Sequence, residues 1–283
     1  MASVKKIAIV GVGLIGGSLA LRLRDEKLAS FIVGVDSNLE NARYAIEHGI
    51  VDEVMNLEEA ISQADVIAIS IPVDQAVLVL PDILDRVNDQ IIFDVGSTKK
   101  SLIDAVQNHP RRGRFVATHP MWGTEKKGPS AVVNEAFKNK ALAICDQENT
   151  DQDALDWVQK MYQQLGMRIL YMGAQEHDLH AAYISHISHI TSFALANTVL
   201  EKEKEEAAIF DLASAGFEST VRLAKSNPSM WAPIFLHNKE QVLDVLEEHI
   251  HQLKKFQRAI HDSNEKELYL LMEQANQIKR IIP

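Results

Sequence analysis

The glycine-rich segment near the N-terminus constrains the fold most strongly. Gly11, Gly13 and Gly16 follow the apolar run KIAIV and open a helix-like segment. Such a glycine pattern is weak alone but specific between a strand and a helix. The first glycine permits a tight turn, the second lets the backbone approach a pyrophosphate, and the third lets helix and strand pack closely. The helix N-terminus, with Leu14 and Ile15, offers free N–H groups to phosphates. The segment therefore predicts a dinucleotide site.

The acidic residue after the second apolar run indicates which dinucleotide binds. Asp36 follows FIVGV and stands twenty residues after Gly16. A carboxylate at this place accepts both ribose hydroxyls of NAD and repels a 2′-phosphate. Polar residues rather than an arginine come next, so we expect NAD in preference to NADP, with FAD as the remaining rival. The run that ends near Ser70 and Pro72 should border the same cofactor.

Short apolar runs alternate with amphipathic segments as far as about residue 170. This alternation is typical of a parallel sheet covered by helices on both faces. From about residue 174 the strand signals stop. We therefore predict an α/β chain: a Rossmann-type doubly wound parallel sheet over residues 1–173, followed by an all-helical dimerisation domain over residues 174–283.

The second half of the chain is predicted to consist of long apolar helices. One helix is expected to begin near Glu176 and run without interruption past residue 200, and a later one to run from Pro228 toward Ile260. So much apolar helix in a short segment favours pairing with a second copy of the chain. A monomer with a tight helical core is the alternative. Capping residues mark helix starts at Asn56, Thr150, Asn227 and Asp262.

The composition excludes several classes of partner. The 283 residues carry a formal net charge of −10, and the pI is about 5.6. Nucleic acids and anionic membranes both favour a basic surface, so neither is an expected partner. The single cysteine, Cys145, allows no intrachain disulfide, which favours a reducing cytoplasm. No apolar run reaches the ~18 to 20 residues of a membrane helix.

Among the eleven histidines, His119 is the leading candidate for a functional group. It ends the run FVATH on the side where the cofactor is expected, and histidine suits proton transfer near neutral pH. His177 and His180 are interpreted as a helix start with no special role. His186 and His189 lie three residues apart on one helical face. No acidic residue or cysteine completes a metal pattern beside them, so we predict no metal, and a core or interface role is their alternative.

Four segments resemble one family in their order and spacing. DVGSTK, THPMWGTEKKG, ISHISH and GFESTVRLAKSNPSMW are similar to segments of the prephenate/arogenate dehydrogenases of tyrosine biosynthesis. The resemblance spans essentially the whole chain and indicates a single-function form without a regulatory domain. It implies NAD-dependent oxidation of prephenate to 4-hydroxyphenylpyruvate and CO2. Arogenate, which would give tyrosine directly, is the alternative substrate.

The resemblance also assigns roles to individual residues. His119 would be the catalytic base, and Ser97 would bridge the substrate hydroxyl, His119 and the nicotinamide, although a helix N-cap is a strong alternative for this serine. Arg222 would bind a substrate carboxylate and pair with Glu125 while the site is empty. The residues expected to line the substrate are Arg222, His189, His186, Thr124, Glu125 and Trp231. Trp231 could act in its own or the partner subunit's site, or serve only as a core anchor.

One departure from the family and two rival functions remain open. Ser219 stands where some relatives place an acid beside the arginine, and whether Glu218 replaces it is undecided. A β-hydroxyacid-type dehydrogenase would place a lysine on the first long helix of the second domain. A non-catalytic NAD sensor would need no base beside the cofactor. If tyrosine inhibits the enzyme, we expect it to do so in the active site by resembling the product.

Overall fold

A computed structural model describes residues 2–281, in which eight strands form one sheet in the order β3-β2-β1-β4-β5-β6-β7-β8. The strands are β1 (Lys5–Val10), β2 (Ala29–Val35), β3 (Glu53–Val54), β4 (Val66–Ile69), β5 (Ile91–Asp94), β6 (Phe115–Pro120), β7 (Ala141–Cys145) and β8 (Arg168–Met172). The two-residue β3 is the one strand that the sequence pattern does not predict.

The helices divide into a group that packs on the sheet and a group that follows it. The first group is α1 (Leu14–Asp25), α2 (Leu39–Glu47), α3 (Leu57–Gln63), α4 (Val73–Arg86), α5 (Lys100–Val106) and α6 (Gln152–Gln164). The second group is α7 (Ala174–Ala181), α8 (Ile187–Glu203), α9 (Ala215–Val221), α10 (Pro228–His237), α11 (Lys239–His261) and α12 (Glu265–Ala275).

The sheet has a hydrophobic core on each face, which confirms the doubly wound fold. Successive residues of β1 point to opposite faces, so Ile7 and Ile9 enter one core while Ala8 and Val10 enter the other. The helices α1 and α6 cover the first core, and α3, α4 and α5 cover the second. Trp231 of α10 joins the second core and thereby ties the helical region to the sheet.

One strand pair departs from the predicted parallel arrangement. The strands β1 to β6 are parallel to one another, but β7 runs antiparallel to β6, with His119 opposite Ala143. A parallel return requires a crossover, usually a helix. The connection between β6 and β7 contains only the 3-10 turn Pro129–Ala131, so the chain turns back beside the strand it has just left.

The long helix expected after residue 174 is interrupted by a single π turn. The helix α7 passes through the π turn Ala182–His186 into α8. The later helix is also divided, because it breaks at Asn238 between α10 and α11. The strand β8 ends just before residue 173 and α7 begins just after it, while the division of the chain into two domains stays a prediction.

Two of the four predicted helix caps are confirmed and two are wrong. The side chains of Asn56 and Asn227 accept hydrogen bonds from backbone N–H groups in the first turns of α3 and α10. The Thr150 hydroxyl instead donates to a backbone carbonyl of β6. Asp262 stands at the C-terminus of α11, and Asn264 caps α12. The residues that occupy the N-cap positions of α6 and α12 are also of types that favour N-caps, so spacing alone does not distinguish them from their neighbours.

No helix among residues 2–281 is both long enough and apolar enough to cross a membrane.

The glycines of the β1–α1 turn have different steric requirements. Gly11 has a φ of +94°, and a Cβ there would collide with the backbone of Ser70. A Cβ at Gly16 would collide with the carbonyl oxygen of Gly11, where α1 crosses β1. Gly13 has open space where a Cβ would lie, with no atom within 4 Å. Two glycines are therefore needed by the fold, whereas Gly13 keeps space clear at the N-terminus of α1.

This difference predicts opposite behaviour for two alanine substitutions. Gly11→Ala should destabilise the protein by at least about 2 kcal/mol, because it combines an unfavourable φ with a backbone collision. Gly13→Ala should change the free energy of unfolding by less than about 0.5 kcal/mol yet weaken NAD binding, because its Cβ occupies the open space. Thermal unfolding and NAD titration measure the two effects. A Gly11→Ala protein as stable as wild type would contradict the assignment.

Candidate active site

The carboxyl ends of the parallel strands gather the predicted cofactor residues at one edge of the sheet. Asp36, directly after β2, accepts hydrogen bonds from the backbone N–H of Val12 at 3.1 Å and of Asn38 at 2.8 Å. Its carboxylate thus faces the glycine turn and retains lone pairs for ribose hydroxyls. Ser70 follows β4 and lies against the glycine turn, and Pro72 precedes α4 at the same edge. These groups can hold a dinucleotide.

His119 lies at the end of β6, at the same edge of the sheet. It is only 8% exposed. Its Nδ1 lies 2.8 Å from Nε2 of His177, and the two rings meet edge to face. Its other ring nitrogen, Nε2, makes no hydrogen bond to any described residue. Nε2 is therefore the nitrogen that a substrate hydroxyl can reach.

The surroundings of His119 keep its imidazole neutral. Burial lowers the pKa of His119 well below its ordinary value of 6.5, and positive charge on His177, Lys99 or His186 would lower it further. A neutral imidazole has a lone pair and can act as a base, whereas an imidazolium cannot. The site therefore contains a buried imidazole whose neutral form is favoured over the charged form.

Ser97 lies in the turn between β5 and α5 and does not cap the helix. The N-cap position of α5 is Lys99, without a side-chain cap of its own. The cap comes from Asp178 of α7, whose carboxylate accepts from the backbone N–H of Lys99 at 2.8 Å and of Lys100 at 2.9 Å. The N-cap alternative for Ser97 is therefore wrong. Its hydroxyl makes no hydrogen bond to any described residue and remains able to contact a substrate.

A buried ion pair supports the strand ends beneath His119. Lys99 has no solvent exposure; its ammonium pairs with Asp94 and donates to the carbonyl of Thr118 at 2.7 Å. Asp94 also accepts from the backbone N–H of Thr118 at 3.0 Å. Burial raises the pKa of Asp94, and the Lys99 charge opposes that rise. The pair fixes β5 to β6 and so fixes the distance between Ser97 and His119.

The histidines after residue 180 cluster with Trp231. The π turn includes His186, which is fully buried and lies edge to face with Trp231 at 6.0 Å between ring centroids. Burial lowers the pKa of His186 to about 4. His189 stacks on Trp231 at 3.4 Å, and its Nδ1 bonds the Ser185 carbonyl at 3.0 Å. Trp231 thus contacts His189 of its own chain. A π turn of this kind commonly marks a functional site.

Arg222 and Glu125 form an ion pair at the rim of the site, with 3.3 Å between Nη1 and Oε2. The loop after His119 therefore meets the segment after α9. The side chain of Arg222 is 54% exposed, so its guanidinium can reach a ligand. Glu218 instead approaches Lys225, at 3.8 Å, and does not replace the missing acid beside Arg222. Thr124 is exposed in the same loop as Glu125, and its hydroxyl accepts from the backbone N–H of Lys126.

Residues on α8 relate the arginine to the histidines. Ser192 of α8 donates to the carbonyl of Thr220 at 3.0 Å and accepts from the backbone N–H of Ala224 at 3.0 Å. These bonds hold the segment that carries Arg222 against the helical turn after His189. The Arg222 charge accordingly contributes to the lowered pKa of His189, after burial.

Sequence reasoning missed His177, which it interpreted as part of a helix start with no special role, and Asp178, to which it assigned nothing. Both are buried, and His177 Nδ1 lies 2.8 Å from Asp178 Oδ1. The available signal was position: both residues follow closely after the strand β8. Adjacent ionisable residues at the start of a helix that follows a strand are candidate partners for a buried histidine such as His119. Among the described residues, no group of three or more potential ligands is placed to hold a metal ion.

Comparisons with known proteins agree with this arrangement. The family described as prephenate dehydrogenase, nucleotide-binding domain, matches residues 19–171, and the family described as prephenate dehydrogenase, dimerization domain, matches residues 173–274. Prephenate dehydrogenase from Bacillus subtilis (strain 168) is 30% identical over 281 residues, which is 98% of this chain and 76% of that protein.

Two solved structures are similar over almost the whole chain. Prephenate dehydrogenase from A. aeolicus, in complex with hydroxyphenyl propionate and NAD+, is 30% identical with a TM-score of 0.88, covering 99% of both chains. Synechocystis arogenate dehydrogenase is 26% identical with a TM-score of 0.77, covering 98% of this chain and 100% of that one. With the two family matches spanning most of its length, this chain belongs to the prephenate dehydrogenase family of NAD-dependent oxidoreductases.

Proposed function

We propose that the protein catalyses the NAD-dependent oxidative decarboxylation of prephenate to 4-hydroxyphenylpyruvate and CO2. The observation that carries this proposal is His119. It is buried at the edge of the sheet where the nucleotide turn lies, and its Nε2 is the ring nitrogen without a protein partner. The family membership of the chain gives the substrate class. The geometry supplies a base, a hydroxyl and a guanidinium for that chemistry.

His119 takes the proton of the C4 hydroxyl of the substrate on Nε2. Ser97, whose hydroxyl bonds no described residue, donates to or accepts from the same oxygen and holds it near the imidazole. NAD, when bound, supplies the acceptor for the hydride that leaves C4. Loss of the ring carboxylate as CO2 is driven by formation of the aromatic ring. No metal or covalent nucleophile is needed for this sequence of bond changes.

Arg222 binds a carboxylate of the substrate at the rim of the site. A guanidinium grips a carboxylate through two parallel N–H bonds, and in this structure Glu125 occupies the guanidinium. Since the pair is partly exposed, the exchange of one carboxylate for another costs little. His189 lies close enough to the arginine for that charge to lower its pKa, and Trp231 stacks on His189. His186 is fully buried against Trp231, which does not favour the predicted direct contact with substrate.

Two features separate this proposal from its rivals. A β-hydroxyacid-type dehydrogenase would carry its catalytic lysine on the first long helix of the second domain. No lysine occurs between residues 174 and 200, which cover α7 and most of α8. A non-catalytic NAD sensor would not need a buried neutral histidine at the carboxyl ends of the strands. Arogenate differs from prephenate only in the side chain, away from C4, and remains the alternative substrate.

We further propose that the protein acts as a homodimer in the cytoplasm. Large apolar side chains stand exposed along the last two helices, including Leu243, Leu253 and Ile260 on α11 and Tyr269 and Leu270 on α12. Exposed apolar surface of this extent favours contact with a second copy. The net charge of −10 supports the absence of nucleic acid and anionic membrane as partners.

The role of His119 predicts the effect of His119→Asn. The amide nitrogen of asparagine can replace Nδ1 as the partner of His177, but nothing replaces Nε2. The kcat with prephenate should fall by about 10²- to 10⁴-fold, while NAD affinity stays unchanged. NADH absorbance measures the rate, with prephenate and arogenate assayed side by side.

The exposed His180 of α7 provides the matched control, and His180→Asn should keep wild-type turnover. Unchanged turnover in His119→Asn would refute the catalytic assignment. Faster turnover of arogenate than of prephenate by the wild-type protein would instead change the substrate.

The environment of His119 also predicts the pH dependence. Because burial lowers its pKa, the base stays neutral as pH falls below 6.5, and kcat/KM should decline only when pH approaches the lowered pKa. The acid limb of the kcat/KM profile should therefore lie well below pH 6.5. A limb at or above 6.5 would mean that the imidazole is solvated during the reaction.

Tyrosine should inhibit by occupying the substrate site, because it shares a phenol ring and a carboxylate with the product. We expect competition with prephenate: the apparent KM rises with tyrosine concentration and kcat does not change. Phenylalanine should inhibit far less, since it lacks the hydroxyl that His119 and Ser97 would bind. Inhibition noncompetitive with prephenate would place tyrosine elsewhere on the protein.

A further inference from the structure

A chain of hydrogen bonds leads from a buried carboxylate to the base. Asp178 Oδ1 lies 2.8 Å from His177 Nδ1, and His177 Nε2 lies 2.8 Å from His119 Nδ1. His177 is 3% exposed and Asp178 is 2% exposed. The chain therefore lies inside the protein, and it joins α7 to the end of β6.

The carboxylate end sets the direction of these hydrogen bonds. Asp178 accepts hydrogen bonds from the backbone N–H groups of Lys99 and Lys100. An ionised carboxylate suits this position because it only accepts hydrogen bonds. His177 must then donate to it from Nδ1. In a neutral His177, Nε2 carries the lone pair and accepts from Nδ1–H of His119. This leaves the lone pair of His119 on Nε2.

We propose that His177 is a positioning residue that, anchored by Asp178, holds His119 in the tautomer whose Nε2 can accept a proton. Which ring nitrogen of a histidine carries the proton is set by the hydrogen bond that the other nitrogen makes. The inference rests on the proposed function for its catalytic consequence, but the tautomer itself is a property of the protein without substrate.

The proposed step moves a single proton. The substrate hydroxyl loses its proton to Nε2 of His119 as the C–H bond breaks and its hydride leaves. The proton on Nδ1 stays in place, and the resulting imidazolium keeps its bond to His177. The negative charge of Asp178, at the other end of the same hydrogen-bond chain, then stabilises the imidazolium.

The other ionisable groups that face His119 do not supply an alternative partner. Lys99, in the turn after β5, is occupied by Asp94 and the Thr118 carbonyl. His186, on the π turn, has its Nδ1 bonded to Asn238 at 3.2 Å. His177 is therefore the described side chain that bonds Nδ1 of His119.

Two substitutions at residue 177 separate positioning from simple structural support. Asparagine can place its amide nitrogen near the Nδ1 position and keep the bond to Asp178, but it has no atom at the Nε2 position. Glutamine can reach the Nε2 position with its carbonyl oxygen and accept from His119. His177→Gln should keep kcat within about threefold of wild type, whereas His177→Asn should lower kcat by about 10- to 100-fold. The KM values for prephenate and NAD should hardly change in either variant.

Imidazole ¹⁵N spectra of histidine-labelled protein without substrate report the tautomer directly. The His119 resonances are assigned by their loss in His119→Asn. Wild type and His177→Gln should show Nδ1 protonated and Nε2 unprotonated, and His177→Asn should show a mixture or the opposite tautomer. Thermal unfolding of the same variants measures structural support separately.

Three outcomes would overturn the proposal. The first is a wild-type spectrum with Nε2 of His119 protonated, as when a doubly protonated His177 donates in both directions. The second is full kcat in His177→Asn. The third is an equal loss of kcat in both variants that follows their loss of thermal stability. A wild-type protein inactive on prephenate would refute the proposed function alone, and the spectra would still decide the tautomer.

Discussion

The buried carboxylate of Asp178 is the contact on which the geometry of the site depends. It accepts from two backbone N–H groups at the start of α5 and from His177 within its own helix. Burying a carboxylate is costly unless its lone pairs are used, and here donors from two parts of the fold use them. Removing it would leave buried N–H groups unpaired, at about 1–3 kcal/mol each. One side chain therefore fixes the turn that carries Ser97 relative to the helix that orients His119.

The charged groups of the site differ in how far they are buried. At the bottom, the positive charge of Lys99 is offset by Asp94, and burial keeps His119 and His186 neutral. The guanidinium of Arg222 lies at the rim, where solvent still reaches it. In the proposed reaction, a dianionic substrate would meet the guanidinium at the entrance, while the Lys99 charge below the base is offset by Asp94. Such an arrangement lets the imidazole accept a proton during the reaction, because an adjacent unpaired cation would oppose formation of the imidazolium.

The sequence predicted those features that depend on local pattern. The strand–glycine–helix order, the acid at Asp36 and the placement of His119 at a strand end each follow from the pattern of a strand and the residues directly after it, and the structure has them. The antiparallel return of β7 was missed, because it depends on the absence of a crossover helix in a segment with few strong signals. The caps at Thr150 and Asp262 failed for a related reason. Each lies within two residues of the real N-cap, and local rules favour the neighbouring polar residues equally, so tertiary packing decides between them.

Ser97 illustrates why the remaining part of the site could not be predicted. From the sequence, a serine before TKKSLIDAV is a reasonable N-cap, and a cap would have engaged its hydroxyl. The donors at the start of α5 are instead satisfied by Asp178, which stands 79 residues after Lys99 in the chain. That long-range contact also brings the carboxylate to His177, and the serine hydroxyl then bonds no described residue. A rule that considers only neighbouring residues predicts that the serine caps α5. In the folded chain, a carboxylate from the helical region caps α5 instead.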